Sequence, residues 1–287
     1  MAKMEPFMFM AALISLAVSA VFYVWYATRM RRLARQGVVA GGQAAPGETL
    51  LLWEPGRFAT MMAMLGLVFL TLSMTFRAVA TGHGPFSNMY EYSLAWSWGI
   101  VAALLFFQRR YGLKTLGALV MPVAVAFLIY AYTLPSRALP LVPALQQSLL
   151  LTVHVAVAMI AYGTFAISFG SAIFYMAQRN RRLGWLPAPA VLDDLGYRAV
   201  IVGFPFMTLT IVLGALWADV AWGRYWGWDP KETASLVTWL IYGGYLHARM
   251  VVGWRGNRSA VLLILGFVGV LFTYFGNYFL GGLHSYA

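Results

Sequence analysis

The chain has 287 residues, of which 61% are hydrophobic and only 10% are charged. A soluble domain usually carries about 25% charged residues, so this composition excludes an ordinary soluble protein, and the scarcity of polar residues excludes a disordered one. The net charge is +11, which in a membrane protein encodes orientation more often than nucleic-acid binding. No cysteine is present, which excludes disulfides, thiolate metal sites and thiol nucleophiles within this chain.

Eight apolar segments are long enough to cross the roughly 30 Å of a bilayer's hydrocarbon as helices. They cover residues 7–28, 58–80, 90–108, 115–134, 149–177, 199–218, 233–253 and 259–281. We therefore predict an all-α fold, a polytopic membrane helix bundle with about eight transmembrane helices. The first helix and its basic linker (1–57) precede a seven-helix domain (58–287), and the glycine-rich segment 37–49 predicts a flexible linker.

The basic residues predict how the bundle is oriented. Fifteen of the 20 fall in the connections that follow odd-numbered segments, namely Arg29, Arg31, Arg32, Arg35, Arg57, Arg109, Arg110, Lys114, Arg179, Arg181, Arg182, Arg198, Arg249, Arg255 and Arg258. The positive-inside rule places these connections in the cytoplasm and both termini outside. The first basic cluster also follows its apolar segment, unlike that of a cleavable signal peptide. We expect the chemistry on the outer side, in the connections 81–89, 135–148 and 219–232 and the tail 282–287.

One outer connection is unusually rich in tryptophan. Residues 217–239 hold five of the eleven tryptophans, and four of them lie at 217, 222, 226 and 228. Aromatic belts at membrane interfaces account for one or two such residues, but this density favours an aromatic platform for a flat, apolar ligand. Gly223 and Gly227 between the rings allow tight turns and close approach.

The segment that follows the platform predicts the start of a helix. Asp229 suits the N-cap, Pro230 the first helical position and Glu232 the third, as in a capping box. This structural role is compatible with a functional loop, because a fixed cap also fixes the loop's exit. Lys231 either pairs with an anionic group of a ligand or is a simple interfacial charge.

Two of the four histidines lie at the level of the tryptophan loop. His154 is near the outer end of the fifth segment, and His284 is in the tail after the eighth. A single interfacial histidine is usually a hydrogen-bonded structural residue, but two beside an aromatic cradle are typical of a heme held by two axial nitrogens. Without cysteine or an acidic cluster, zinc is disfavoured.

The other two histidines are placed differently. His247 is 17 residues beyond Pro230, about 25 Å along a helix, so it cannot ligate the same iron as His154 and His284. Its neighbours Gly243 and Gly244 fit either small-residue helix packing, which spacing alone favours, or a flat ligand. His83, in the first outer connection, is expected to be exposed or packed against the cradle and not to be a ligand.

Four sequence motifs resemble those of one known family, the CcsA/ResC cytochrome c biogenesis proteins, which belong to the tryptophan-rich (WWD) heme-handling proteins of System II. They are WGRYWGWDPKET with YLHAR in the next helix, GLHSY near the C-terminus, FSNMYEYSLAWSW in the first outer connection, and VPALQQSLLLTVH before the fifth segment. The similarity runs from about residue 82 to 287. The predicted span count and topology agree with the family.

The resemblance implies a function and a set of site residues. Such proteins act with a ResB/CcsB-like membrane subunit to move heme outward and attach it to the CxxCH motif of apocytochrome c. In the family two outer histidines ligate heme, and the matching residues are His154 and His284. The family's transmembrane histidine matches His247, whose counterpart ligand comes from the partner subunit. The residues matching the heme-edge motif are Trp222, Trp226, Trp228 and Asp229, whereas Arg224 and Tyr225 depart from some relatives.

The resulting hypothesis is a subunit of a holocytochrome c synthase of the heme lyase type. Heme b is bound as a substrate, the thiols come from the apocytochrome, and this chain supplies positioning. The alternative is a heme exporter without attachment activity. An electron-transfer b-type cytochrome is disfavoured because it would pair histidines within the bundle. We expect an integral protein of the bacterial cytoplasmic membrane, or of a plastid thylakoid, that binds no nucleic acid.

Overall fold

Eight long α-helices make up most of the part of the chain that the structure describes. The computed structural model describes residues 3–44, 49–137, 145, 148–179 and 182–283. In chain order the helices are α1 (Glu5–Arg35), α2 (Thr49–Thr81), α3 (Met89–Tyr111), α4 (Gly117–Tyr132), α5 (Ser148–Ala177), α6 (Pro189–Trp222), α7 (Pro230–Met250) and α8 (Asn257–Leu280). A short 3-10 helix, Lys114–Leu116, leads into α4. The predicted all-α helix bundle is confirmed.

Six of the described helical stretches are long and apolar enough to cross a membrane. They are Glu5–Arg35, Pro55–Thr81, Lys114–Tyr132, Leu149–Ala177, Pro189–Trp222 and Asn257–Gly276. The helices α3 and α7 are not among the six; both contain several tyrosine and tryptophan residues and carry charged residues near their ends. The chain is therefore a polytopic membrane protein, and the direction in which it crosses the membrane stays a prediction.

The bundle has two ends with different contents. At one end the first turns of α3, α5 and α7 meet the last turns of α6 and α8 around a cavity. We call this the tryptophan end, because the α6–α7 connection (residues 223–229) lies there. At the opposite end, which we call the arginine end, the α5–α6 connection and the α7–α8 connection (residues 251–256) surround a second cavity.

The helices share a single large hydrophobic core, to which all eight contribute buried side chains. Polar side chains inside it are hydrogen-bonded between helices, as buried polar groups must be in an apolar surrounding. The Ser19 hydroxyl of α1 donates to the Ala59 carbonyl of α2 at 2.7 Å. The Tyr23 hydroxyl of α1 donates to Oε1 of Gln108 in α3 at 2.6 Å. These contacts attach α1 firmly to the helices that follow it.

The segment 37–49, predicted to be a flexible linker, contains a small antiparallel hairpin. Its strands are β1 (Val39–Ala40) and β2 (Gln43–Ala44). The Gly42 amide donates to the Gly184 carbonyl at 3.0 Å and so attaches the hairpin to the α5–α6 connection. Strands of two residues and a contact to a distant backbone carbonyl leave no periodic signal in a glycine-rich sequence. Residues 45–48 lie outside the described residues.

Candidate functional site

The tryptophan end contains a cavity of about 730 Å³. Its walls come from the connection before α3 and the first turns of α3, from α5, from the last turns of α6, from the tryptophan loop and the start of α7, and from α8. Most of the lining side chains are apolar or aromatic, with a few polar groups among them, which is the usual composition of a ligand pocket. Of the predicted site residues, His154 and Trp226 line it.

His154 is held in one orientation by α6. Its Nδ1 atom lies 2.9 Å from the Thr210 carbonyl oxygen. Because a carbonyl can only accept, Nδ1 carries the hydrogen, and in the neutral ring Nε2 therefore carries the lone pair. A hydrogen bond of this kind fixes the tautomer and the ring plane of a metal-ligating histidine.

One turn beyond Thr210, Gly214 leaves the space that the His154 ring occupies. A Cβ atom on Gly214 would lie 2.8 Å from Cε1 of His154, which is shorter than any normal contact. Residues four apart lie on the same face of a helix, so the carbonyl and the glycine form one seat for the ring.

The tryptophan loop has a fixed backbone. Gly223 ends α6 in the left-handed conformation, with its amide donating to the Asp219 carbonyl at 2.8 Å. Asp229 and Glu232 form the predicted capping box, which is confirmed. Glu232 Oε2 also accepts from the Gly227 amide at 2.8 Å. Between them Trp228 has a φ of 56°, a conformation that is costly for a bulky residue and persists only where its surroundings impose it.

The tryptophans of the loop face different surroundings. Trp226 is partly buried in the cavity wall, and Trp228 is 69% exposed and meets it edge to face at 5.8 Å. Trp222 packs edge to face on the buried Trp217 at 4.8 Å, and only Trp217 of this pair lines the cavity. Trp239 is structural: its Nε1 donates to the Thr208 hydroxyl at 2.9 Å. Trp222 and Trp228 therefore lie beside the cavity, while Trp226 forms part of it.

Asp229 connects the start of α7 to the C-terminal tail. It is 5% exposed, and its Oδ2 accepts from the Lys231 amide at 3.0 Å. Its Oδ1 accepts from the Leu283 amide at 2.6 Å. The predicted ligand His284 is the next residue and lies outside the described residues. Asp229 does not line the cavity, so its visible role is to position the chain that leads to His284.

Two cationic side chains, Lys231 and Arg137, line the same cavity. The Lys231 Nζ lies 4.7 Å from the centre of the Tyr92 ring, a cation–π contact. Lys231 precedes the predicted span 233–253, and burial lowers the pKa of its ammonium group to about 8, with the Asp229 carboxylate acting in the opposite direction. A lysine held in this way can pair with an anionic group of a ligand.

A buried ion pair supports the cavity from the side of α2 and α3, and our reading of the sequence missed it. Nε of Arg77, 5% exposed, donates to Glu91, 1% exposed, at 2.6 Å. Arg77 Nη1 also donates to the Ser136 carbonyl at 2.6 Å, and Glu91 Oε2 accepts from the Ser87 amide at 2.6 Å. The signal was available, because Arg77 and Glu91 fall within the predicted segments 58–80 and 90–108, and charges within apolar segments are rarely exposed to lipid.

His247 and His83 lie away from the cavity. His247 is exposed on α7, in line with the exposed Val237, Leu240 and Val251 and with Gly244, whose Cα has open space before it. These positions repeat every three or four residues and so form one face. His83 is partly buried, with its Nδ1 2.9 Å from the Gly84 carbonyl oxygen.

Comparison with known proteins finds consistent similarity. The family described as Cytochrome C assembly protein matches residues 86–284. The chain is 37% identical over 251 residues to "Cytochrome c biogenesis protein CcsA" of Guillardia theta, covering 78% of this chain and 83% of that protein. It is 36% identical over 266 residues to the protein of that name from Prochlorococcus marinus (strain NATL2A), covering 79% and 84%. It is 39% identical over 241 residues to the protein of that name from Chlamydomonas reinhardtii, covering 79% of this chain and 67% of that protein.

Proposed function

This chain belongs to the cytochrome c assembly protein family and has a role in cytochrome c biogenesis, and within that role we propose that it presents heme for attachment to apocytochrome c. Heme binds as a substrate in the cavity at the tryptophan end. His154 and His284 supply the two axial nitrogens. The tryptophan end faces the outer side of the membrane, the periplasm in a bacterium.

The observation that carries this proposal is the arrangement of His154. Its Nδ1 is engaged by the Thr210 carbonyl, which gives Nε2 the lone pair that iron requires, and its ring is in the wall of a cavity of about 730 Å³. Ligand pockets usually measure about 300–1,000 Å³, so a large flat molecule fits this volume. The aromatic side chains Tyr92, Trp217 and Trp226 in the wall suit the faces and edges of a macrocycle.

The contact between Asp229 and the tail supports a second ligand from the C-terminus. Because Asp229 Oδ1 holds the Leu283 amide, the chain passes the start of α7 immediately before His284. In this proposal Asp229 is a positioning residue, and Trp222 and Trp228 contact the edge of the heme that faces the apocytochrome. Lys231 and Arg137 pair with its propionates.

The chemistry that follows needs no cysteine in this chain. Each thioether forms when a thiol of the CxxCH motif adds across a heme vinyl group, giving one C–S and one C–H bond with no leaving group. The protein's contribution is to hold the vinyl edge near the thiols, and positioning of this kind lowers the barrier by removing translational and rotational freedom in advance. The substrate's own histidine then displaces one of the two axial ligands.

The exposed face of α7 supports a place for the partner subunit. A histidine facing lipid is costly, and such residues normally face protein or an aqueous cavity. His247 stands alone among apolar neighbours on this face. We assign the face to a ResB/CcsB-like subunit, which would supply the second ligand to a heme at His247.

The test is reconstitution of the chain with such a partner and a reporter apocytochrome in cells that lack other maturation systems. Covalent heme is measured after denaturing electrophoresis, and bound heme from the visible spectrum of the purified complex. We expect a low-spin spectrum and a fall of at least about tenfold in both readouts for His154→Ala, because loss of an axial ligand removes much of the affinity. His83→Ala, at the same end but outside the cavity wall, is the matched control.

Two outcomes would reject the proposal. Equal spectra and equal covalent product in wild type, His154→Ala and His284→Ala would remove the axial assignment. Wild-type complex that accumulates heme and passes it outward without any thioether product would instead support the alternative of a heme exporter.

A further inference from the structure

The second cavity, at the arginine end, has a different chemical character from the first. It measures about 880 Å³ and lies between the end of α5, the start of α6 and the α7–α8 connection. Four of its eleven lining residues are arginines, and they come from two separate segments: Arg179 and Arg182 lie in the α5–α6 connection, and Arg255 and Arg258 lie on either side of Asn257, where α8 begins. Residues far apart in sequence thus bring four positive charges to one space.

These four guanidinium groups have no carboxylate partner within 4 Å in the described part of the chain. The nearby acidic residues are engaged elsewhere. Asp193 accepts from Arg249 at 2.5 Å and from the Gly256 amide at 3.1 Å. Asp194 pairs with Arg198 at 2.6 Å. Four like charges around one cavity repel each other, and an anion between them would relieve that repulsion.

The wall of the cavity adds backbone donors to the side chains. Helix α8 begins at Asn257, next to Gly256, and no side chain caps it. The first residues of this 24-residue helix line the cavity, so the positive end of the helix dipole lies at its wall. In the same first turn of α8, Arg258 packs over the Trp254 ring at 5.4 Å, and both residues line the cavity.

The α7–α8 connection lies close against α5 because Gly256 has no side chain. Gly256 has a φ of 76°, and a Cβ atom there would lie 2.8 Å from the Tyr175 hydroxyl oxygen. Together with the Asp193 contact to its amide, this close approach fixes the edge of the cavity. The backbone edge of the cavity is therefore fixed by the fold, and the four exposed arginine side chains are arranged around it.

We propose that this cavity binds a phosphate group, either the headgroup of an anionic phospholipid or the phosphate of a small soluble ester. Arginine is the residue best suited to phosphate because its planar guanidinium group makes two parallel hydrogen bonds to the oxygens. The location also fits, since basic pockets between membrane helices on the cytoplasmic side bind phospholipid headgroups, and the arginine end is the one predicted to face the cytoplasm. This binding is independent of heme.

A simpler explanation is that these arginines only determine how the protein is oriented in the membrane. That role needs charge but no shared cavity, as the cluster Arg29, Arg31, Arg32 and Arg35 at the end of α1 illustrates: none of the four lines this cavity. The two clusters carry the same charge, so they provide a direct comparison. A double substitution in each removes two positive charges from exposed side chains at the same end of the molecule.

The experiment measures binding to the full chain, purified in a neutral detergent, of phosphatidylglycerol, phosphatidylcholine and glycerol 3-phosphate. We expect saturable binding of phosphatidylglycerol, weakened by about tenfold or more in Arg255→Gln/Arg258→Gln because charge-assisted contacts are lost. In the control Arg31→Gln/Arg32→Gln it changes by less than about twofold. The pair Arg179→Gln/Arg182→Gln is the second test variant should the first fail to fold.

The outcomes distinguish the two sources of phosphate, and some of them would reject the site. Glycerol 3-phosphate binding that the cavity variants abolish supports a soluble ligand, whereas binding of phosphatidylglycerol alone supports the headgroup. Equal weakening by cavity and control variants would show diffuse attraction and overturn the proposal. So would equal binding of phosphatidylcholine and phosphatidylglycerol, or the absence of saturable binding of every probe.

Discussion

At the tryptophan end, Arg77 beside the cavity is buried and paired with a buried glutamate, whereas the four arginines around the other cavity are exposed and have no carboxylate within 4 Å in the described chain. Arg77 is 5% exposed and joins Glu91 of the next helix and the carbonyl of Ser136. Arg255, in the α7–α8 connection, and Arg258, in the first turn of α8, are both exposed and line the other cavity. Arg77 thus acts as internal support, whereas the four arginines of the other cavity act as surface charge.

The difference shows how charge is used in each place. A buried charge is tolerated only when it is paired and hydrogen-bonded, so the pair at the tryptophan end holds α2, α3 and the following loop together around the site. An exposed and unpaired charge contributes little to stability and remains available for a ligand. The predictions below test whether the two ends differ in this way.

The largest effect is expected for Glu91→Ala. It leaves the Arg77 charge buried and unpaired, and removal of one partner of a buried ion pair costs about 3–5 kcal/mol. Asp194→Ala breaks a pair in which both side chains are 50% exposed, and should cost less than about 0.5 kcal/mol. Thermal unfolding in detergent measures both. Similar losses of stability in the two variants would remove the contrast between buried and exposed pairs.

Asp229→Ala should have the next largest effect. It removes a helix N-cap, worth about 1 kcal/mol, and the charged acceptor for the Leu283 amide, worth about 1.5–3 kcal/mol. Hydrogen exchange at Leu283 should speed up together with the loss of stability. Asp229→Asn keeps one side-chain oxygen and replaces the other with an amide donor, so it can retain only one of the two contacts and should show an intermediate loss of protection. An unchanged rate of hydrogen exchange at the Leu283 amide in the alanine variant would show that Asp229 does not hold the tail.

Gly214→Ala tests the seat of His154. The new methyl group would meet the imidazole ring at 2.8 Å, and overpacking of this kind costs about 1–3 kcal/mol. We expect lower stability and a changed spectrum of the bound heme, because the ring leaves its hydrogen bond to Thr210. Gly244→Ala, where nothing lies within 4 Å, should be neutral or stabilising by up to about 1 kcal/mol. A normal heme spectrum in the Gly214 variant would contradict this view of the site.

The smallest effect is a pH dependence of ligand binding at the tryptophan end. The Lys231 ammonium group has its pKa lowered to about 8, so it is charged below that pH and neutral above it. If it pairs with a propionate of heme, affinity should fall as the pH rises from 7 to 9, and Lys231→Met should abolish this part of the dependence. Heme titrations of both proteins at several pH values measure it. If affinity depends on pH in the same way in wild type and Lys231→Met, Lys231 does not pair with the ligand.

Much of the fold follows from the sequence because membrane helices have a simple signature. Most ends of the eight predicted apolar segments lie within a few residues of the helix ends in the structure. The length needed to cross hydrocarbon and the loss of hydropathy at the edges define these segments. The exceptions are α1, α2 and α6, whose helices continue past the predicted segment: α2 begins at Thr49, nine residues before its predicted span, and α6 begins at Pro189, ten residues before. Each of these extensions contains charged residues, so hydropathy does not detect it.

The site was predicted less completely, because it depends on contacts between distant residues. Spacing indicated that His154 and the tryptophan loop share one end of the bundle, and capping chemistry identified Asp229 and Glu232. It could not show that Trp226 lines the cavity while Trp228 is exposed, since that depends on the positive φ of Trp228. The Thr210 seat of His154 and the convergence of four arginines required tertiary structure.

The contact between Arg77 and Glu91 also bears on how the protein enters the membrane. As α2 leaves the translocation machinery alone, it carries a charge near its end that has no counterpart, and this disfavours its release into lipid. Once α3 arrives, Glu91 neutralises that charge, and Glu5 of α1 accepts from Ser73 of α2 and from Tyr90 of α3. We therefore expect α2 and α3 to insert into the bilayer together, and a chain that ends before α3 should show less complete insertion of α2 than the full chain.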